Sequence, residues 1–546
     1  GVRKAGGHTV DILGLPRRAP GSRGNEGGED RVRALLSVAD RTGIADLARD
    51  LLDQGIEVYA TDGTRTELSE AGVEVSAVAE LTDMPELIDG QVKTYHPAIY
   101  AGILARRHVP EDLESLAQHD LGAIDIVVVS IRPFAPQVGR RVMGLDEAVE
   151  MIDVGGLALL GAAARNFGGV AAVCDPDDYP VLIDEIREHG AVSAEARRRF
   201  AAKALGTVAT YHGEVAAYLD HISGTRFPDQ LSIVLRKERD LPYGENPQQR
   251  GAFYRETTHR SRSLADAERI QGPEPTFNDL IDLDAAYRMA SDFAAPTCAI
   301  TKQRTPVGLA SHDEGREAYR RALAGDPVTA YGAVVGFNRE VDEAIARELV
   351  LNPFEGVVAP AYSAGAVALL SGRPELSALK VPASPTDGLP DYGIAELDFH
   401  RIEGGLLVET KDALDIDHSQ LNVVTRRRPT LEELTDLMFA WRAVRHVTSL
   451  AVVVAKGAQL VGVGAGQSSR LTATEIALPR AAQRAPRSVL ASDAYFPFGD
   501  AVALAAERGV TAIIQPGGSI RDEMAIEIAD RHHLAMVFTG RRHFRH

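Results

Sequence analysis

Residues 31–60, RVRALLSVADRTGIADLARDLLDQGIEVYA, decide the fold class. RVRALLSV reads as a strand. In the segment after it, Ile44, Leu47, Ala48, Leu51 and Leu52 fall on one face at helical spacing, and Gly55 stops the helix. IEVYA is the next strand. The alternation continues outward. DGTRTELSEAG (62–72) is a turn opening a helix, VEVSAV (73–78) a strand, and DIVVVSI (125–131) and GVAAVC (169–174) are apolar strands. Apolar runs of this kind, separated by helices, argue for a parallel sheet covered on both faces.

A long helical stretch at 194–219 and a charged, proline-bearing segment at 224–250 close this part. The expected organisation is a tail over 1–30, a first domain over 31–225 and a linker over 226–240. A second α/β part follows, divided into 241–420 and 421–546. Its clearest strands are YGAVVGFN (331–338), SLAVVVA (449–455), QLVGVG (459–464), SVLAS (488–492), TAIIQ (511–515) and LAMVFTG (534–540). AVVVAKGAQLVGVGAG (451–466) reads as a hairpin with Lys456-Gly457 in the turn. No internal repeat is visible.

Composition narrows the function classes. The net charge of −18 argues against nucleic acid and anionic membranes as partners. No apolar run reaches the ~18 residues of a membrane span. The two cysteines, Cys174 and Cys298, are far apart, so no structural zinc site and no metal is expected. Such sparse cysteine fits a reducing cytoplasm. The first 30 residues, rich in Gly and Arg, are expected to be a disordered tail or a misassigned start.

CAITKQRTPVGLA (298–310) is the place for chemistry. A short buried strand ends in Lys302, Gln303 and Arg304 and meets a Pro-x-Gly turn. Seven stretches accompany it in order: DGQVKTYHPAIYAGILARR (89–107), MIDVGGLALLGAAARN (151–166), LPYGENPQQ (241–249), GVGAGQSSR (462–470), LASDAYFPFGD (490–500), IIQPGGSIRD (513–522) and GRRHFRH (540–546). Together they resemble the family of bifunctional purine-biosynthesis PurH proteins. That family formylates 5-aminoimidazole-4-carboxamide ribonucleotide (AICAR) and closes the ring to inosine monophosphate.

The resemblance implies a methylglyoxal-synthase-like cyclohydrolase domain followed by a formyltransferase domain of two cytidine-deaminase-like α/β subdomains. It also implies a homodimer that takes a small nucleotide and, as cosubstrate, 10-formyltetrahydrofolate. For formyl transfer it points to Lys302 as the group that polarises the formyl oxygen. Gln303 stands where the family has histidine; it orients the amine or the formyl oxygen but carries no proton. Substrate contacts are expected from Tyr243, Gly244, Asn246, Glu355, Gln467, Arg470, Arg542 and Phe544. Tyr495, Phe496, Pro497 and Phe498 are expected to wall the pterin. The family's arginine and asparagine are Pro242 and Leu450 here.

For ring closure the resemblance points to Lys93 and Asp153, with Thr42, Gly63, Thr64, Thr94, Arg132, Gly155, Gly156 and Arg165 around the substrate. Gln91, Ser130, Arg132 and Arg165 depart from the family's residues. Asp62 puts a carboxylate on the phosphate turn unless it points outward as a helix cap. Two alternatives stay open on the sequence. One is a paralogue acting on an AICAR analogue, such as a formycin-like pyrazole C-nucleotide. The other is a non-catalytic nucleotide- or folate-binding protein.

Overall fold

The structure is a computed structural model that describes residues 31–84, 88, 92–138, 144–259, 262–383, 393–412, 416 and 418–546. The tail 1–30 and Gln91 lie outside the described residues. A first compact unit runs to Val234 and a second begins at Leu235.

In the first unit, β1 (Arg33–Val38), β2 (Glu57–Ala60), β3 (Ser76–Ala77), β4 (Ile126–Ser130) and β5 (Ala171–Val173) form a parallel sheet of order β3-β2-β1-β4-β5. Successive side chains of β1 and β4 alternate between two cores. Ala34, Leu36, Ile126 and Val128 enter one, Leu35, Val127 and Val129 the other. That is why the strands read as unbroken apolar runs. Helix α1 (Ile44–Asp53) buries Ile44, Leu47, Ala48 and Leu51, while Leu52, expected on the same face, stays exposed. The chain leaves β1 towards one side of the sheet and returns through β4 on the other. The crevice beyond the carboxyl ends of β1 and β4 is therefore a topological switch point, where such sheets bind ligands. Helices α2 (Asp62–Glu70), α3 (Pro97–Leu104), α4 (Gly155–Arg165) and α5 (Ala194–Ile222) complete the frame.

The second unit opens with a hairpin, β6 (Leu235–Leu241) and β7 (Gly251–Glu256). Its first sheet contains β8 (Glu268–Gln271), β9 (Thr297–Lys302), β10 (Thr305–Ser311), β11 (Val334–Phe337), β12 (Gly356–Ala359) and β13 (Ser377–Lys380), in the order β10-β9-β11-β12-β13-β8. A second hairpin follows, β14 (Leu397–Ile402) and β15 (Gly405–Thr410). The last sheet contains β16 (Asn422–Val423), β17 (Val452–Ala455), β18 (Leu460–Gly464), β19 (Val489–Ser492), β20 (Ala512–Gln515) and β21 (Ala535–Phe538), ordered β18-β17-β19-β20-β21-β16.

The two six-stranded sheets have one topology. In each, an antiparallel edge hairpin pairs with the first of three mutually parallel strands, and the last strand is antiparallel. The correspondence extends to side chains. Helices α6 (Phe277–Ser291) and α7 (Leu431–Val444) both start at a threonine N-cap with an acidic partner three residues on, Thr276 with Asp279 and Thr430 with Glu433. Asp282 accepts the N–H groups of Gln303 and Arg304; Asp436 accepts those of Gly457 and Ala458. Thr276 and Thr430, Asp282 and Asp436, and Lys302 and Lys456 are each 154 residues apart. An internal repeat is thus present that the residues alone do not show, although the resemblance implies two like subdomains. It is carried by caps and turns at matched spacing, with little residue identity to reveal it.

Both hairpin turns are displaced from their expected places, the first lying ahead of the Pro-x-Gly stretch and the second one residue on from Lys456-Gly457. Gln303 and Arg304 have φ of 49° and 60°, the left-handed pair that a two-residue hairpin turn needs. Pro306 and Gly308 lie inside β10, at a bulge. Gly308 is required there, because a Cβ would fall 2.1 Å from the Ala322 carbonyl oxygen. In the other hairpin the left-handed pair is Gly457 and Ala458.

Candidate functional site

Helix α6 organises one group of the sequence-predicted residues. Asn278 and Asp282 are four residues apart, so they share a face about 6 Å apart along the axis. Asn278 Nδ2 donates to the Glu245 carbonyl at 3.1 Å, and the Asp282 carboxylate holds the Gln303–Arg304 turn at 2.8 and 2.6 Å. The 242–250 loop and the end of β9 are thereby fixed to one helix face. The loop also closes on itself. Gly244 N–H donates to the Gln249 carbonyl at 2.8 Å, and Asn246 donates to Gln249 Oε1 through its backbone and side-chain nitrogens at 2.8 and 3.0 Å.

Lys302 Nζ donates to the Tyr331 carbonyl at 2.6 Å. Next to Tyr331, Gly332 adopts φ +68°, and Glu355 comes in from the start of β12. Burial pushes the Glu355 carboxyl up; Asp279 and Asp282 add to the rise, and Lys302 opposes it. Gln303 is exposed.

A second group gathers around β19. The Arg470 side chain is buried; its Nη2 donates to Asp493 Oδ1 and its Nε to Ser492 Oγ, each at 3.2 Å. Ser449 Oγ donates to Asp493 Oδ2 at 2.6 Å and accepts the Arg545 N–H at 3.0 Å. The rings of Tyr495 and Phe544 each lie 6.0 Å from the Arg470 guanidinium carbon, and Arg542 lies 4.6 Å from the centre of Phe544. Gln467 exchanges backbone hydrogen bonds with Leu450. Tyr495 and Phe498 are 38% and 50% exposed, but Phe496 is 1% exposed and belongs to the core. The expected pterin wall therefore loses Phe496, whose ring is already packed.

Burial lowers Arg545 to about 10, with Arg288 and Arg304 adding to the fall through like-charge repulsion. The C-terminal segment therefore lies within electrostatic reach of the Gln303–Arg304 turn. The two histidines nearest these motifs are otherwise engaged. His312 accepts the Glu314 N–H at 3.1 Å in the turn before the helix that follows β10, at the end of the hairpin away from Lys302. His446 is buried against Asp292, which also binds Arg445.

In the first unit, the switch-point crevice collects Thr42, Gly63, Thr64 and Arg132. Asp40 N–H donates to Ser130 Oγ at 2.8 Å, and Thr42 N–H to Asp40 Oδ1 at 2.9 Å. Thr64 is buried and its hydroxyl accepts the Val38 N–H at 3.0 Å, so it braces β1. Gly63 faces open space, and Asp62 is the first residue of α2, after the Thr61 N-cap.

Asp153 stands at the start of α4. Its Oδ1 accepts the Gly156 N–H at 2.8 Å, and its own N–H donates to the Tyr211 hydroxyl at 2.8 Å. A Cβ on Gly156 would sit 3.0 Å from both Asp153 carboxylate oxygens. Burial pushes the Tyr211 phenol up, while the Asp153 N–H and the Arg132 charge oppose it, which joins the end of β4 to the start of α4. Tyr95 donates to the Val154 carbonyl at 3.0 Å, bringing the Lys93–Thr94 segment to the same place. Arg165 is exposed at the far end of α4, about 15 Å along its axis from Gly155.

Comparison with known proteins now bears on this arrangement. The family model for the AICARFT/IMPCHase bienzyme matches residues 163–480, and that for the MGS-like domain matches residues 43–158. The chain is 43% identical over 522 residues to the bifunctional purine biosynthesis protein PurH of Rhodopirellula baltica, covering 94% of this chain and 98% of that one. It is 40% identical over 514 residues to the PurH of Halalkalibacterium halodurans, with 94% and 99% covered. The chain belongs to the PurH family. A solved structure titled "Crystal structure of ForH" is 36% identical across 34% of this chain and 97% of that chain; its TM-score of 0.31 is too low to bear on the fold.

Within this PurH-family chain, reading the sequence missed the residues that hold the predicted ones. Asp282 and Asp279 lie on α6, and their signal was the Thr276 capping box with a further acid three residues on. Ser492 and Asp493 stand inside LASDAYFPFGD without a sign that they bind Arg470, and Ser449 opens SLAVVVA without a sign that it binds Asp493. Tyr211 shares a helix face with Tyr218, seven residues on, and both pack on Phe134, so its spacing reads as core. Among the described residues, no group of three or more His, Cys, Asp or Glu is arranged to hold a metal ion. No helix among them is long and apolar enough to cross a membrane.

Proposed function

We propose that this protein transfers a formyl group from 10-formyltetrahydrofolate to the amine of AICAR, and then closes the ring to inosine monophosphate. The observation that carries the reading is the near-complete coverage of both this chain and relatives named bifunctional PurH. The relatives give no support to an analogue substrate or to a non-catalytic role.

In the second unit, Lys302 is the cation for the developing oxyanion. The 242–250 loop and the Arg470–Phe544 group hold the nucleotide, and Tyr495, Pro497 and Phe498 offer apolar surface to the pterin. Asp493 and Ser492 take two of the five N–H groups of Arg470, which fixes its guanidinium beside the two rings. Gln303 contributes its backbone to the turn and orients what approaches it.

In the first unit, ring closure requires an amide nitrogen to attack a formamide carbon with loss of water. Lys93, Asp153 and Arg132 are the groups that support it, with the N–H groups around Gly155 and Gly156 at the start of α4. Arg132 supplies a fixed cation. We further infer a homodimer in the cytoplasm, on the likeness to the family. Formation of tetrahydrofolate in the presence of AICAR, followed spectrophotometrically, tests the assignment. A folded protein that forms none would refute it.

A further inference from the structure

The duplication in the second unit separates scaffold from site. Lys302 and Lys456 stand at equivalent points, and each ammonium group donates to a backbone carbonyl, that of Tyr331 at 2.6 Å and that of Pro486 at 2.8 Å. That bond belongs to the scaffold. Two features stand beside Lys302 that its twin lacks. Glu355 immediately precedes β12, where Thr511 precedes β20. Gly332 follows the accepting carbonyl, where Arg487 follows it in the other copy; both have positive φ, 68° and 63°.

The missing side chain at Gly332 leaves a defined space. A Cβ there would lie 3.3 Å from Glu355 Oε1 and 3.8 Å from Lys302 Nζ. The carboxylate oxygen and the ammonium nitrogen are therefore no more than about 7 Å apart, with no side chain of residue 332 between them, close enough for one reacting centre to reach both. The neighbouring acids are engaged. Asp279 accepts from Thr276, and Asp282 accepts from Gln303 and Arg304. The Glu355 carboxylate accepts no hydrogen bond among the described residues. Gln303 cannot take a proton.

We propose that Glu355 is the proton acceptor in formyl transfer, acting with Lys302 across the space left open by Gly332. This rests on the formyltransferase reading above. The amine nitrogen bonds to the formyl carbon, and the formyl oxygen gains negative charge beside Lys302. The amine proton passes to the Glu355 carboxylate. The bond from the formyl carbon to N10 of the folate then breaks, and N10 takes the proton from Glu355. One formyl group and one proton change places, and nothing is oxidised or reduced.

The charged groups facing Glu355 are Lys302, Asp279 and Asp282. Glu355→Gln keeps the shape and removes the base. Its kcat should fall about 100-fold or more, with KM for AICAR within about threefold of wild type. The acid limb of the pH–kcat profile should disappear. Glu355→Asp should restore part of the rate and the limb. An active wild type beside a Glu355→Gln variant within threefold of its kcat, or with the acid limb intact, would overturn the role of Glu355. A wild type inert towards AICAR would overturn the formyltransferase reading itself.

Discussion

Lys302 shows how far a single residue was legible. A cation closing an apolar strand stands out in sequence, and the structure puts it at the end of β9 beside a turn. Its surroundings were not legible. Tyr331 and Gly332 lie in a loop about thirty residues on, with no periodic pattern to mark them, and Phe496 reads as ligand surface until its burial is known. Lys302→Ala should lower kcat for formyl transfer by about 10²–10³-fold with an unchanged circular dichroism spectrum. Turnover near the wild-type rate would refute its role. One substitution separates the role proposed for Asp153 in ring closure from its hydrogen bond to the start of α4. Asn at 153 can still accept the Gly156 N–H, so Asp153→Asn should cost less than about 1 kcal/mol of stability. The same variant should lose about 100-fold in ring closure, measured with formylated AICAR supplied directly.

At the scale of elements, the strand and helix alternation of the first unit was readable because each element buries a periodic face. The repeat in the second unit was not, because its matched parts are single polar residues. Those parts yield a paired test. Asp282→Ala and Asp436→Ala each leave two turn N–H groups without their acceptor and should each cost about 1–3 kcal/mol in urea unfolding. Formyl transfer should fall only with Asp282→Ala, since Asp436 holds the other turn. Equal loss of activity in both would point to general unfolding. The Asp292 contact is a further link between equivalent helix ends. Although burial pushes its carboxyl up, the His446 hydrogen bond and the charges of His446 and Arg445 hold it at about 2, below its ordinary 3.8. A depressed carboxyl stabilises the fold above the unfolded value, and that contribution is lost as pH falls from 3.8 towards about 2. Asp292→Ala removes the carboxylate that His446 and Arg445 share and should cost about 3 kcal/mol at neutral pH. Unfolding of wild type and variant across that acid range should converge; parallel curves would contradict the pairing.

At the scale of the whole molecule, the two proposed reactions divide between the two compact units, each with its own cation and its own carboxylate. The net charge of −18 argues against nucleic acid as a partner class, yet leaves room for anionic small molecules at sites built from a few arginines and lysines. The two reactions should therefore fail independently. Lys302→Ala should stop the first and still close the ring of added formyl-AICAR. Asp153→Asn should do the reverse and accumulate the formylated nucleotide. The most direct measurement is a single incubation of the wild-type protein with AICAR and 10-formyltetrahydrofolate, with products separated by mass over time. Formyl-AICAR is expected to appear first, with inosine monophosphate following. A folded protein that yields neither would contradict it.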